Sequence, residues 1–135
     1  MVRTALFALA AVTLAAATLA ATPFVHDPVA PTGKVIEVKM VEVTPTQFAF
    51  SPAKITVKAG DVVRFTQVKA NVHNVEFKVV PAGSNLEALM VGPYLMTVEQ
   101  VHEFTIDGRF APGTYEYVCT PHATMGMTGQ IIVTK

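Results

Sequence analysis

A chain of 135 residues with a single cysteine cannot close a disulfide within itself, and it cannot build a centre that needs two thiolates, such as a paired zinc knuckle or a binuclear copper site. Whatever Cys119 does, it does without another thiol of this chain. Net charge is lacking too. Ten basic and ten acidic side chains cancel, so no long-range field draws the chain to nucleic acid or to anionic lipid, and any partner is met through local patches. The sequence holds no internal repeat and no low-complexity stretch, and no regularly spaced helical segments. What it does hold is apolar bulk, 51% of its residues. That is enough for one domain with a genuine core, while the length is too short for two comfortable ones.

Residues 1–21, MVRTALFALAAVTLAAATLAA, carry one positive charge at Arg3 and then an uncharged run of Ala, Leu, Val and Thr. This pattern predicts an export signal peptide, with cleavage near Thr18-Leu19-Ala20. The alternative is an uncleaved membrane anchor, since about 20 apolar residues just span a bilayer. The abundance of alanine favours the signal, and removing it leaves nine basic against ten acidic residues with no stable membrane insertion. Residues 22–33, TPFVHDPVAPTG, contain three prolines without either period and read as a linker. The domain then occupies 34–135.

From Lys34 onward the pattern is strand after strand, at 34–43, 54–60, 61–68, 72–80, 101–107, 113–119 and 128–134. Turn chemistry divides them, with Pro45, Ser51-Pro52, Gly60-Asp61, Pro81, Gly83, Asp107-Gly108, Pro112-Gly113 and Gly126. Short strands at this spacing predict an all-β Greek-key β-sandwich of about seven to eight strands. Only 84–96, SNLEALMVGPYLM, breaks the rhythm, as one short helix or an apolar loop over one end.

Alternate residues of a strand face opposite sides. In VHNVEFKVV, His73 is in phase with Val75, Phe77 and Val79, and Asn74, Glu76 and Lys78 share the other face. Cys119 is in phase with Tyr115 and Tyr117, and Met127 with Ile131 and Val133. All three therefore point inward, and His122 follows the cysteine by three residues in CTPHATMGM. Taken singly, an inward histidine is an ordinary core group and a lone cysteine an ordinary small hydrophobe. Together, one thiolate, two imidazoles and a thioether suit copper and are poor ligands for magnesium or calcium. Two histidines, one cysteine and a weak axial methionine form the type 1 (blue) copper arrangement. Ligation would also protect a free thiol in an exported protein from oxidation.

VHNVEF at 72–77 and GTYEYVCTPHATMGMTGQIIV at 113–133 resemble the plastocyanin, pseudoazurin and amicyanin group of cupredoxins, and the likeness covers essentially all of 34–135. The resemblance implies one copper ion held by His73, Cys119, His122 and Met127, with Asn74 tying the two ligand-bearing segments together. Met125 competes for the axial role at the shorter amicyanin-like spacing. Met127 is preferred because it is followed by Thr128, Gly129 and a β run. Val118 stands where photosynthetic plastocyanins have tyrosine, which speaks against a remote electron route through that side chain. His26, in the linker, and His102, in phase with Phe104 and Ile106, read as solvated or structural.

The implied function is single-electron transfer by a monomeric periplasmic or otherwise extracytoplasmic protein, cycling between Cu(I) and Cu(II). Its redox protein partners would dock transiently on apolar surface near His122, framed by Pro121, Ala123 and Met125. Four protein ligands leave no open position for a substrate, so no enzymatic activity is expected. A copper carrier or storage protein is the alternative, kept open by six methionines, Met90 and Met96 among them. A metal-free adhesive sandwich would make the spacing of Cys119, His122 and Met127 a coincidence. A cysteine hydrolase would need an orienting group that the sequence does not display.

Overall fold

The structure is a computed structural model and describes residues 33–135. The segments read from sequence as a signal peptide (1–21) and a linker (22–33) lie outside the described residues except for Gly33, and His26 lies outside with them. Eight strands form two four-stranded sheets. One sheet holds β2 (Gln47–Ser51), β1 (Val35–Thr44), β4 (Val62–Gln67) and β6 (Val101–Thr105) in that order. The other holds β3 (Lys54–Lys58), β8 (Thr128–Thr134), β7 (Gly113–Val118) and β5 (Glu76–Val79). β1 runs parallel to β4 and β3 parallel to β8, while the other pairs are antiparallel. This is the all-β sandwich that the sequence pattern predicts. Among the described residues, no helix is long and apolar enough to cross a membrane.

Alternation of apolar and polar residues explains most of the strands. In β3 the pattern KITVK buries Ile55 and Val57, and in β7 Tyr115 and Tyr117 are buried while Thr114 and Glu116 face solvent. The inner faces meet in an aromatic core. Tyr117 packs edge-on against Phe50, with centroids 4.8 Å apart, and against Phe65 at 5.3 Å. Each such pair contributes about 0.5–1.5 kcal/mol beyond simple burial.

Two elements differ from the sequence reading. QFAFS forms β2, where only turn residues were expected between the first two strands. Residues 72–75 are not a regular strand, because His73 makes only an isolated bridge to Leu95. Alternation therefore fails there, and His73, Asn74 and Val75 are all buried in succession. The stretch 84–96 is a loop with one 3₁₀ turn, Glu87–Leu89. A second 3₁₀ turn, Thr120–Met125, joins β7 to β8.

Asp61 fastens the end of the sandwich where the described chain begins. It is buried, and its carboxylate accepts hydrogen bonds from the backbone N–H groups of Lys34 (3.1 Å) and Lys58 (3.0 Å), holding β1 to the turn after β3. Gly129 lies opposite Tyr117 in the β7–β8 register, and a Cβ there would collide with the tyrosine ring and hydroxyl. Gly129→Ala is expected to destabilise the metal-free fold by about 1–3 kcal/mol through overpacking. Guanidinium denaturation followed by circular dichroism measures this, and an unchanged midpoint would mean that the strand shifts freely away from Tyr117.

Candidate metal centre

The end of β7 carries Cys119 one residue past the last ladder position, fully buried and in phase with Tyr115 and Tyr117. The chain then turns through Thr120–Met125 with Pro121 in its first turn. Cys119 is the extended residue that caps this turn, and the His122 N–H donates to the Cys119 carbonyl at 3.0 Å, which folds His122 back toward the cysteine. Gly126 ends the turn in the left-handed region, at φ 82°, a conformation that favours glycine. That reversal carries Met127 into the core with no exposed surface, while Met125 is left 50% exposed. Two backbone hydrogen bonds close the loop, Met127 N–H to the His122 carbonyl (3.2 Å) and Cys119 N–H to the Met127 carbonyl (3.0 Å).

His73 reaches this loop from the other ligand-bearing segment. It is buried and is held by reciprocal backbone bonds with Leu95, at 3.0 and 2.7 Å. The Cys119 Sγ lies 3.5 Å from His73 Nδ1 and 3.4 Å from His122 Nδ1, and the two Nδ1 atoms are 3.2 Å apart. The circumcentre of that triangle is about 2 Å from each donor, close to ordinary metal–nitrogen and metal–thiolate distances of about 2.0–2.3 Å. The three donors therefore fit a single ion, and a soft thiolate with two imidazoles is a donor set for copper.

Electrostatics agree with the geometry. Burial, then the neighbouring His122, lower the His73 pKa to about 4, against a smaller opposing pull from Glu42. Burial also lowers the pKa of His122. Both imidazoles thus present lone pairs at neutral pH. Burial pushes the Cys119 thiol up, opposed by the backbone N–H groups of Asn74 and His122, which favour the thiolate. With a metal ion held by these residues the Cys119 thiol would be deprotonated outright, as a coordinating thiol is.

Asn74 joins the two segments. Its Oδ1 accepts from the Thr120 N–H at 2.7 Å, and its Nδ2 donates to the Thr120 hydroxyl at 2.9 Å. The structure keeps His102 out of the donor cluster and stacks it on Phe65. Sequence reasoning missed Phe48, whose ring stacks on His122 at 3.9 Å and meets His73 edge-on at 5.6 Å. The alternation of Phe48 and Phe50 in QFAFS was the available signal. It also missed Thr120 as the partner of Asn74.

A β-sandwich with a cysteine and two histidines converging at one end defines the cupredoxin class. The family model for copper binding proteins of the plastocyanin/azurin family matches residues 36–134. The chain belongs to that family, and its cofactor is copper. It is similar to a plastocyanin of Prochlorothrix hollandica, 37% identical over 84 residues, a stretch that spans 62% of this chain and 62% of that protein's length. It is similar to amicyanin-alpha of Methylorubrum extorquens, 36% identical over 105 residues, covering 77% of this chain and 75% of the relative. Among solved structures, the oxidized plastocyanin of Dryopteris crassirhizoma superposes with a TM-score of 0.60 at 33% identity, covering 73% of this chain and 100% of that one.

Replacing Asn74 by alanine removes both side-chain bonds to Thr120 and leaves a part-buried N–H unpaired. A loss of about 1–3 kcal/mol is expected in the metal-free protein. Equilibrium denaturation at fixed ionic strength checks it, and a loss below experimental error would show that water replaces the amide.

Proposed function

We propose that this chain is an exported type 1 copper protein that passes single electrons between redox partners, with His73, Cys119, His122 and Met127 as ligands. The observation that carries this reading is the triangle of Cys119 Sγ and the two Nδ1 atoms, each pair 3.2–3.5 Å apart, closed by a loop that brings Met127 inward. Copper supplies a one-electron Cu(I)/Cu(II) couple. The residues of the chain hold the donors in fixed positions, so little rearrangement accompanies a change of charge. Phe48 and Leu95 exclude water from the His73 side, and the partly exposed His122 forms the route to the surface. With its donors committed to the metal, the centre has no position for a substrate, and no catalytic step is assigned.

Partners would dock briefly around His122, where Pro121 and Met125 are exposed. A near-neutral chain relies there on contact complementarity more than on long-range steering. Residues 1–21 would direct export to the periplasm or a comparable compartment, and the mature protein would act as a monomer. The deep burial of His73 and Cys119 weighs against a carrier or storage role, which requires donors that open readily.

Cys119→Ser is expected to abolish the intense visible absorption of the oxidised copper protein while leaving the far-ultraviolet circular dichroism of the sandwich intact. An unchanged band would remove Cys119 from the site and sink the reading.

Met127→Leu is expected to raise the reduction potential by about 60 mV, a tenfold change in relative Cu(I) and Cu(II) affinity, because losing a weak thioether donor disfavours Cu(II). Met125→Leu should move it much less. Voltammetry decides between them, and a larger shift for Met125 would transfer the axial role to that residue.

A further inference from the structure

Glu76 stands three residues beyond His73, at the start of β5, and plays no part in the ligand set. Its backbone is fixed on two sides, paired with Val118 in β7 and bridged to Val91. One carboxylate oxygen accepts from Lys78. The other accepts from the Thr120 hydroxyl at 2.7 Å. A threonine hydroxyl has one hydrogen to give. Since that hydrogen goes to Glu76, Oγ1 has lone pairs left for Asn74, and the Asn74 Nδ2 donates to it at 2.9 Å. Asn74 is thereby oriented with Oδ1 toward the Thr120 N–H, which it accepts at 2.7 Å. The three side chains form one directed relay, from amide to hydroxyl to carboxylate. A charged acceptor makes the last bond roughly twice as strong as a neutral one and polarises the bond before it.

Thr120 follows Cys119 directly and opens the turn that carries His122. The relay therefore ends where the thiolate side of the centre meets the His73 side. We propose that Glu76 is a positioning residue for the metal centre, acting through the Thr120 hydroxyl to lock the Asn74–Thr120 clamp in the polarity that fixes Cys119 against His73. If Glu76 were only half of an exposed ion pair with Lys78, its removal would matter little, because such pairs contribute about 0–1 kcal/mol.

The test uses the protein in metal-free and copper-loaded forms, with the variants Glu76→Ala, Glu76→Gln, Thr120→Val and Lys78→Met. In the metal-free protein, amide hydrogen exchange at Thr120 should be at least tenfold faster in Glu76→Ala, while amides of β4 exchange as in wild type. Glu76→Gln retains an acceptor oxygen and should restore at least half of the lost protection. In the copper-loaded protein, Glu76→Ala should change the relative affinity for the two oxidation states at least threefold, which is about 30 mV at about 59 mV per tenfold for one electron. Thr120→Val should reproduce both effects and carries the same test if Glu76→Ala does not fold. Lys78→Met keeps the Thr120 bond and should leave Thr120 exchange within twofold of wild type. Unchanged exchange, an unchanged potential, or an equal acceleration of all amides would each overturn the role of Glu76.

This role rests on the assignment of Cys119 as a ligand, and the two fail differently. Wild-type copper protein without the thiolate absorption band would defeat the assignment, whereas an intact band with an unmoved potential in Glu76→Ala defeats only the relay.

Discussion

The paired hydrogen bonds between Asn74 and Thr120 join two stretches of chain 46 residues apart, and the geometry of the metal centre depends on them. His73 comes from the segment before β5 and Cys119 from the end of β7. The regular ladders end just short of both residues, since His73 makes only an isolated bridge to Leu95 and Cys119 lies one residue past the end of β7. The side-chain amide of Asn74 supplies what the ladder lacks, offering one acceptor and one donor to a single residue of the opposing loop. It is buried, and a buried amide with both ends satisfied specifies one arrangement where a half-satisfied one would cost about 1–3 kcal/mol.

On this foundation the sandwich performs two separate tasks. Its aromatic middle, built around Tyr117, Phe50, Phe65 and Phe77, provides cohesion without reference to any metal. Its loop end gathers polarizable donors into a water-poor pocket. Holding His73 neutral and Cys119 protonated there is a consequence of desolvation, since removal from water penalises whichever form is charged. The same desolvation strengthens the attraction between a cation and the thiolate once the ion is bound.

The sandwich was legible because its strands are half-buried and alternate, and the inward direction of Cys119 followed from its phase with Tyr115 and Tyr117. Parity also pointed His73 inward, though for an incomplete reason. Residues 73–75 are buried in succession beside the bridge from His73 to Leu95, so alternation does not apply and Asn74 is as buried as His73 and Val75. β2 was missed because it has only five residues, closely bracketed by Pro45 and Pro52, a length at which turn chemistry outweighs a short apolar alternation. Phe48, Thr120 and Glu76 escaped because their roles arise from contacts between distant segments, and no local period records such contacts.

The spacing of the late donors, by contrast, has a local cause. At a spacing of three residues, the His122 N–H bonds the carbonyl of the capping Cys119 and the turn brings the imidazole back to the thiol, 3.4 Å from Sγ. Continuing by three residues reaches Met125, but the path climbs outward, from the buried cysteine through the partly exposed histidine to a methionine at the surface. An inward thioether therefore requires the chain to reverse, and Gly126 does this with a left-handed conformation in which a side chain would be strained although nothing crowds it. Two residues between cysteine and histidine and four between histidine and methionine are thus what one tight turn followed by one glycine reversal produces. The exposed Met125 is the by-product of that reversal.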